Sequence, residues 1–243
     1  MQFTSEQRLD DGVLEREFTL GEIPGILWTP GSASAPTPLI LLGHPGGLHK
    51  MYPRLVARAQ RSAAQGFAAA TIELPGSGER PRSAAAEQAR ADLRGALAAG
   101  EPVDDDIVER LILPLVDQAV PEWRATLDDL LELPEISGPV GFAGGVISVA
   151  LRLAVVEPRI SAAVLFAGSF VPRTMFEEAR KVSVPLLVLL QWDDEGNDRQ
   201  LALDLFDAFG SAQKTLHANL GGHTGVPQFE GDAGDRFFAR HLR

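Results

Sequence analysis

Short apolar runs bounded by glycine and proline recur along the whole chain and alternate with longer stretches of helical character. This alternation is typical of βαβ units, in which a strand, a crossover helix and a parallel strand follow one another. It predicts eight strands in a mostly parallel sheet flanked by helices, with the first pair antiparallel. The predicted strands span residues 16–19, 26–28, 39–42, 68–72, 139–143, 162–166, 185–190 and 214–217.

Two helix-like stretches, residues 82–99 and 103–120, separate the fourth predicted strand from Pro121. Together they form an insertion, residues 82–120, that is longer than a minimal crossover. The insertion either covers part of the carboxyl end of the sheet, where open α/β folds bind ligands, or is an ordinary pair of packing helices. With no repeat or linker along its 243 residues, the chain is expected to form one α/β domain over residues 1–243.

Charge and composition exclude several classes of function. The 33 acidic residues outnumber the 22 basic ones, and the formal net charge of −11 disfavours binding to nucleic acid or anionic membranes. The N-terminal residues lack the order of a signal peptide and no apolar run is long enough to span a membrane, so a cytoplasmic location is expected. There is no cysteine, and the five histidines lack ligand spacing. We therefore expect no metal and no cofactor, and a small-molecule or peptide substrate.

Two glycine-containing turns follow predicted strands. The third strand runs into Gly43-His-Pro-Gly-Gly47, and in such a loop the small residues let backbone N–H groups approach an anionic oxygen. The fourth strand ends in the segment Glu-Leu-Pro-Gly-Ser-Gly, which begins at Glu73. His44 and Glu73 are therefore candidates for an acid or base in a pocket, although a structural role is the alternative for each.

An acid and a histidine follow the last two predicted strands. The seventh strand leads into Gln191-Trp-Asp-Asp-Glu195, and Gly-Gly-His ending at His223 follows the eighth. Asp194 and His223 form the preferred pair, with Asp193 and Asp198 as competitors for the acid. A solvated acidic loop beside a surface histidine is the alternative for either segment alone, but their order along the chain favours a catalytic pair.

These segments together resemble the α/β-hydrolase superfamily, and most closely its dienelactone-hydrolase-like and actinobacterial esterase-like branch. The resemblance implies an α/β-hydrolase fold in which Asp194 orients His223. It also implies that backbone amides near Gly46, Gly47, Gly144 and Gly145 stabilise a negatively charged oxygen. One departure concerns the acid segment, because Gln191 stands where the family pattern has glycine.

The turn after the fifth predicted strand departs further from the superfamily, which carries Gly-x-Ser-x-Gly there. The sequence from Gly138 is Gly-Pro-Val-Gly-Phe-Ala-Gly-Gly-Val-Ile-Ser-Val-Ala. One alignment places Ala143 at the nucleophile position, a second places Val146 there, and an intermediate one Gly144. None of these side chains can attack a carbonyl carbon. Ser148, the nearest hydroxyl, lies too far along the following helix.

Three functions fit this combination of an intact scaffold pattern and an inert turn. The first is a cofactor-independent enzyme of proton transfer, such as an epimerase, isomerase, cyclase or lyase, with His223 as the base. Such an enzyme is similar to the atypical group typified by the bottromycin epimerase, which acts on a peptide natural product. The second is a serine esterase or thioesterase whose nucleophile has been replaced, or whose water is activated directly by His223. The third is a ligand-binding pseudoenzyme.

Overall fold

The computed structural model describes residues 1–31 and 36–243, which form nine strands and seven α-helices. The strands are β1 (Gln2–Arg8), β2 (Leu14–Leu20), β3 (Ile23–Thr29), β4 (Thr37–Gly43), β5 (Ala68–Ile72), β6 (Ile136–Gly144), β7 (Ile160–Phe166), β8 (Leu186–Gln191) and β9 (Lys214–Asn219). The helices are α1 (Leu48–Ala64), α2 (Ala84–Ala99), α3 (Asp105–Leu131), α4 (Ile147–Val156), α5 (Phe176–Ala179), α6 (Arg199–Ala208) and α7 (Phe229–His241).

The strands form one sheet in the order β1-β2-β3-β5-β4-β6-β7-β8-β9. Antiparallel pairing joins β1 to β2, β2 to β3 and β3 to β5, and every later pairing is parallel. The mostly parallel sheet flanked by helices is thus confirmed, and its first predicted pair is antiparallel. Each of the eight predicted strands coincides with one of β2 to β9.

The predicted number of strands was wrong by one, because β1 was not foreseen. Its seven residues are all exposed, and the sequence Gln-Phe-Thr-Ser-Glu-Gln-Arg carries no alternation of apolar and polar side chains. The strand lies at the edge of the sheet and pairs through its backbone with β2. An exposed edge strand of this kind leaves no hydrophobic period in the sequence.

The second predicted helix was expected to end at Val120, but α3 continues to Leu131. Pro121 removes one backbone donor inside the helix, and such a residue usually ends a helix. Here Trp123, Leu127 and Leu130 extend the buried stripe beyond the proline, so tertiary burial outweighs its cost. Within residues 1–31 and 36–243 no helix, α3 included, is long and apolar enough to cross a membrane.

Buried side chains form one hydrophobic cluster on each face of the sheet. One cluster joins α3 and α4 to the sheet and contains Trp123, Phe142 and Val146. The other joins α1 and α7 to the opposite face and contains Leu55 and Ala143. Ala143 near the end of β6 and Val146 directly before α4 therefore pack on opposite sides of the sheet. This division decides which of the two side chains can line the candidate site.

Candidate active site

Asp194 and His223 meet at the carboxyl end of the sheet. They lie in the loops that follow β8 and β9, and these neighbouring parallel strands end side by side with Gln191 opposite Asn219. The Asp194 Oδ2 atom is 2.8 Å from His223 Nδ1. The side chain of Asp194 is 4% exposed and that of His223 is 53% exposed. The structure thus brings together the two side chains that the sequence paired.

Two further groups fix the Asp194 carboxylate. The backbone N–H of Gly196 donates to Oδ1 at 3.1 Å, and the Asn197 side-chain amide donates to Oδ2 at 2.7 Å. These bonds hold the carboxylate in one orientation toward the imidazole. Asn197 was not foreseen as a site residue, because an asparagine in a polar loop after a strand is also common in ordinary turns.

The two competing carboxylates have other partners. Asp198 is the N-cap of α6 and accepts the backbone N–H groups of Gln200 and Leu201. Asp193 accepts the backbone N–H of Gly221 at 3.3 Å. Of the three aspartates considered, Asp194 is the one hydrogen-bonded to His223.

The imidazole of His223 is held on a second side by an aromatic ring. The Phe166 ring at the end of β7 meets it edge to face, with centroids 5.5 Å apart and planes at 74°. A carboxylate beside Nδ1 accepts its N–H, which leaves the lone pair of the neutral imidazole on Nε2. His223 is consequently arranged as a proton acceptor at Nε2.

Two glycines make the sharp turn between β6 and α4. Gly144 has φ of +72° and Gly145 has φ of +76°, whereas Val146, the N-cap of α4, has an ordinary φ of −76°. A Cβ on Gly145 would lie 2.7 Å from the Gly43 Cα atom, so the turn packs directly on the end of β4. In a nucleophile elbow the strained position is that of the catalytic residue. Here glycines occupy the strained positions.

The structure separates the three alignments of the turn by where each residue lies. Val146 lines the same cavity as Asp194 and His223. Ala143 belongs to the hydrophobic cluster on the opposite face of the sheet, and Gly144 has no side chain to offer. Ser148 is fully buried within α4. The residue of the turn that faces the histidine is therefore Val146.

Arg58 on α1 joins the ends of the two central strands. Its guanidinium donates to the Gly43 carbonyl at 3.0 Å and to the Ala143 carbonyl at 2.6 Å. Desolvation lowers the pKa of Arg58 to about 10. These two hydrogen bonds tie α1 to the ends of β4 and β6.

His223 lines an open cavity of about 820 Å³, a volume within the size range of ligand pockets. Its wall combines apolar side chains with polar ones from the strand-end loops. Leu111 and Ile112 of α3, which lie within residues 82–120, are part of it. The other lining residues are Val146, Gly168, Ser169, Phe170, Asp193, Asp194, Glu195, Gly196, Asn197, Gly221, Gly222 and His223.

The loop after β4 lies outside this cavity. Among the described residues, the wall does not include Gly46, Gly47, Gly144 or Gly145, the predicted sources of oxyanion amides. Gly47 instead precedes α1 as its N-cap and approaches Gly78. The structure thus gathers Asp194, His223 and Val146 in one cavity wall. The start of the glycine loop packs against the elbow, since a Cβ on Gly145 would lie 2.7 Å from Gly43 Cα and 2.9 Å from His44 N.

The side chains of His44 and Glu73 are hydrogen-bonded to backbone groups of the scaffold. The Nε2 atom of His44 donates to the Ile72 carbonyl at 2.8 Å, and burial lowers the pKa of this histidine. The Glu73 carboxylate accepts the backbone N–H of Leu48 at 3.0 Å. It lies at the N-terminus of α1, where the helix dipole stabilises a negative charge. In the described part of the chain neither lines the cavity.

Three comparisons with known proteins differ in their outcome. No family model and no curated protein matches the chain. Solved structures do match, among them a PEG-bound cold-adapted esterase from an Arctic intertidal metagenomic library, with 28% identity, a TM-score of 0.77 and full coverage of both chains. The chain has the α/β-hydrolase fold. An acetyl xylan esterase from a Paenibacillus species also matches, at 16% identity and a TM-score of 0.68, covering 99% of this chain and 88% of that one. A third match is acetyl xylan esterase 1 from a Thermoanaerobacterium species, at 14% identity and a TM-score of 0.66, covering 98% and 87%.

Within this α/β-hydrolase fold, the site combines a hydrogen-bonded Asp-His pair with an elbow that carries valine. The pair can accept and return a proton, as the corresponding pair does in a catalytic triad. The valine has no atom that could form an acyl-enzyme. The site is therefore equipped for acid–base chemistry, and the elbow adds an apolar surface beside it.

Proposed function

We propose that this protein is a cofactor-independent enzyme of proton transfer on a small carbonyl compound or peptide, such as an epimerase, isomerase, cyclase or lyase. The observation that carries the proposal is the 2.8 Å hydrogen bond between Asp194 and His223 in a cavity whose elbow residue is Val146. His223 acts as the base at Nε2. Asp194 orients the ring and stabilises the imidazolium that forms.

The composition of the cavity wall supports a neutral substrate. Asp193, Asp194 and Glu195 all line it, and their charge disfavours an anionic group near His223. Leu111, Ile112 and the elbow valine offer an apolar surface to the rest of the molecule. A carbonyl compound with an acidic α-proton and an apolar body fits both features, and a peptide segment is one such compound.

Deuterium uptake tests this proposal. A panel of 2-substituted cyclohexanones and N-acetyl dipeptide amides is incubated with the protein in D₂O, and loss of the α-proton signal is followed by NMR. We expect at least one compound to exchange faster than in buffer. Asp194→Asn should slow that exchange on the order of 100-fold, because the imidazole loses its orienting anion.

Asp198→Asn is the matched control, since Asp198 caps α6, is not hydrogen-bonded to His223 and is not among the described residues that line this cavity, and asparagine caps a helix as well as aspartate does. It should leave the exchange rate within about threefold of the wild type. If no compound of the panel exchanges, or if the two variants behave alike, the proposal of proton transfer by this pair is wrong.

Hydrolysis is the second candidate, and the esterase with 28% identity is the observation that favours it. In this case His223 would activate a water molecule directly, since the elbow has no nucleophile. Steady hydrolysis of p-nitrophenyl acetate that is lost in Asp194→Asn, without any α-proton exchange, would select this candidate over the first.

A further inference from the structure

A second open cavity, of about 440 Å³, lies between α7 and the first residues of β8 and β9. Leu186 and Lys214, which open these two strands and pair with each other, are part of its wall. The cavity that contains His223 instead follows the carboxyl ends of the same strands. Because the two walls share no residue, the second cavity is separate from the candidate active site.

The wall of the second cavity is basic, although the chain as a whole has a formal net charge of −11. No acidic side chain is among the described residues that line it. Five basic residues do line it, namely Lys214, His217, Arg236, Arg240 and His241. A local excess of positive charge on an acidic protein attracts anions to this surface.

Arg236 and Arg240 are the exposed arginines of this wall. They lie four residues apart on α7, so their side chains project from the same face of the helix, where their like charges repel each other. An anion bound between the two guanidinium groups would remove this repulsion.

The acidic side chains of α7 are hydrogen-bonded elsewhere. Asp232 and Asp235 accept hydrogen bonds from Arg61 on α1, at 2.8 Å and 2.7 Å. Glu230 accepts one from His217 at 2.8 Å. Within the part of the chain that the structure describes, the two exposed arginines of the wall therefore form no ion pair and are free to bind a ligand.

Lys214 adds a fixed positive charge to the wall. Its ammonium group donates to the carbonyls of Phe206, Asp207 and Phe209, which end α6, at 2.8 to 2.9 Å. These three hydrogen bonds use all of its donors. Lys214 can thus attract an anion, while the arginines supply the hydrogen bonds to it.

We propose that the second cavity binds a phosphate monoester whose phosphate is held by Arg236 and Arg240. The inference is independent of the proposed proton transfer. A guanidinium presents parallel N–H donors that match the oxygens of a phosphate, and two such groups suit a dianion. The C-terminal end of α7 disfavours an anion, but at an exposed site that contribution is small beside two charge-assisted hydrogen bonds.

The organic part of the ligand has an apolar surface to contact. Leu187, Ala233 and Phe237 line the cavity together with the arginines, and Phe237 directly follows Arg236 on α7. An aryl or alkyl phosphate therefore fits this wall better than inorganic phosphate does.

Isothermal titration calorimetry with phenyl phosphate, in a phosphate-free buffer of low ionic strength, tests the site. We expect the wild type to bind phenyl phosphate with a Kd below about 1 mM. Inorganic phosphate should bind about tenfold more weakly, because it has no apolar part. Benzoate should also bind about tenfold more weakly, because it carries a single charge and fewer acceptor oxygens.

Arg236→Gln and Arg240→Gln should each weaken the binding of phenyl phosphate about tenfold, because each removes a charged donor. Both side chains are exposed, so the variants should fold as the wild type does. Arg94→Gln is the matched control, since it removes the same charge from an exposed position on α2 outside the cavity wall. It should leave the Kd unchanged.

The imidazole of His241 reports where the ligand binds. His241 lines the same wall, and burial, followed by the charge of Arg240, lowers its pKa. A phosphate bound at Arg240 should raise that pKa, because it stabilises the imidazolium. Titration of the His241 resonances by NMR, with and without phenyl phosphate, measures this change.

The proposal is wrong if phenyl phosphate does not bind, if benzoate binds as tightly, or if Arg94→Gln weakens binding as much as Arg236→Gln does. A phosphate that belongs to a lipid is distinguished by sedimentation with phosphatidylcholine vesicles that contain phosphatidic acid. Sedimentation that requires Arg236 and Arg240, in a protein that does not bind phenyl phosphate, would overturn a soluble ligand in favour of a lipid headgroup.

Discussion

Asp194 and His223 are 29 positions apart in the chain, yet the order of acid and histidine after the last two strands was enough to predict their pairing. The reason is geometric, because the carboxyl ends of adjacent parallel strands meet at one edge of the sheet. Asn197 could not be selected in the same way. Its residue type is common in loops, and its role depends on which atoms it approaches in three dimensions.

Glu157 is a buried carboxylate whose hydrogen-bond partners could not be predicted from the sequence either. Its side chain is 1% exposed, and it accepts hydrogen bonds from the Arg159 guanidinium at 2.7 Å and from Arg124 at 3.3 Å. These bonds, those from Arg159 first, lower the pKa of Glu157 from its ordinary value of 4.5 to about 2. The carboxylate ties α3 to the loop between α4 and β7.

Glu157→Gln should lower the free energy of unfolding at pH 7 by about 2 kcal/mol, because the folded state loses a paired anion. The folded-state pKa is depressed, so this stabilisation is complete above pH 4.5 and disappears as the pH falls toward about 2. Urea unfolding of the wild type and the variant between pH 7 and pH 3 measures the difference. The exposed Glu101 serves as control through Glu101→Gln, and a difference that does not shrink with acidification would contradict the assignment.

The elbow between β6 and α4 shows what can be predicted for a single element. Its place after the central strand and its glycines were visible in the sequence, but the spacing fitted both Ala143 and Val146. Side chains of a strand alternate between faces, and the alternation continues until the turn begins. Where that turn begins depends on Gly144 and Gly145, both of which have positive φ, and this is a property of the folded backbone.

Val146→Ser should create ester hydrolysis, because it places a hydroxyl in the cavity wall that contains His223. We expect the rate of p-nitrophenyl acetate hydrolysis to rise at least about tenfold above that of the wild type. Ala143→Ser, the matched change, should give no increase. It should also lower the unfolding free energy by about 1–3 kcal/mol, because its hydroxyl would be buried in an apolar cluster.

A gain of hydrolysis in Ala143→Ser and not in Val146→Ser would contradict the placement of the elbow. Steady-state kinetics of the two variants, with thermal unfolding to confirm that both are folded, decides between the outcomes. A rise in both variants would equally count against the view that they lie on opposite sides of the sheet.

For the molecule as a whole, the parallel sheet could be predicted because each buried strand is a short apolar run between turn residues. The edge strand β1 could not, since its seven exposed residues contribute no such run. The sequence also could not show which residues of the insertion line the site. Helical periodicity shows which face of α3 is buried, but the approach of Leu111 and Ile112 to the loops after β7 and β8 is decided by how the helix packs.

The site of this α/β-hydrolase fold is thus proposed to act by acid–base chemistry at His223 alone, without an acyl-enzyme. The chain contains a matched histidine for comparison. His217 on β9 is hydrogen-bonded through Nδ1 to Glu230 at 2.8 Å, the distance that joins His223 to Asp194, and it is not among the described residues that line the cavity containing His223.

The most direct measurement is the rate of α-proton exchange in D₂O for the wild type, His223→Gln and His217→Gln, with the compound that exchanges fastest. The account predicts that His223→Gln lowers the rate on the order of 100-fold to 10,000-fold and that His217→Gln leaves it unchanged. Exchange that survives in His223→Gln, or that falls equally in both variants, would contradict it.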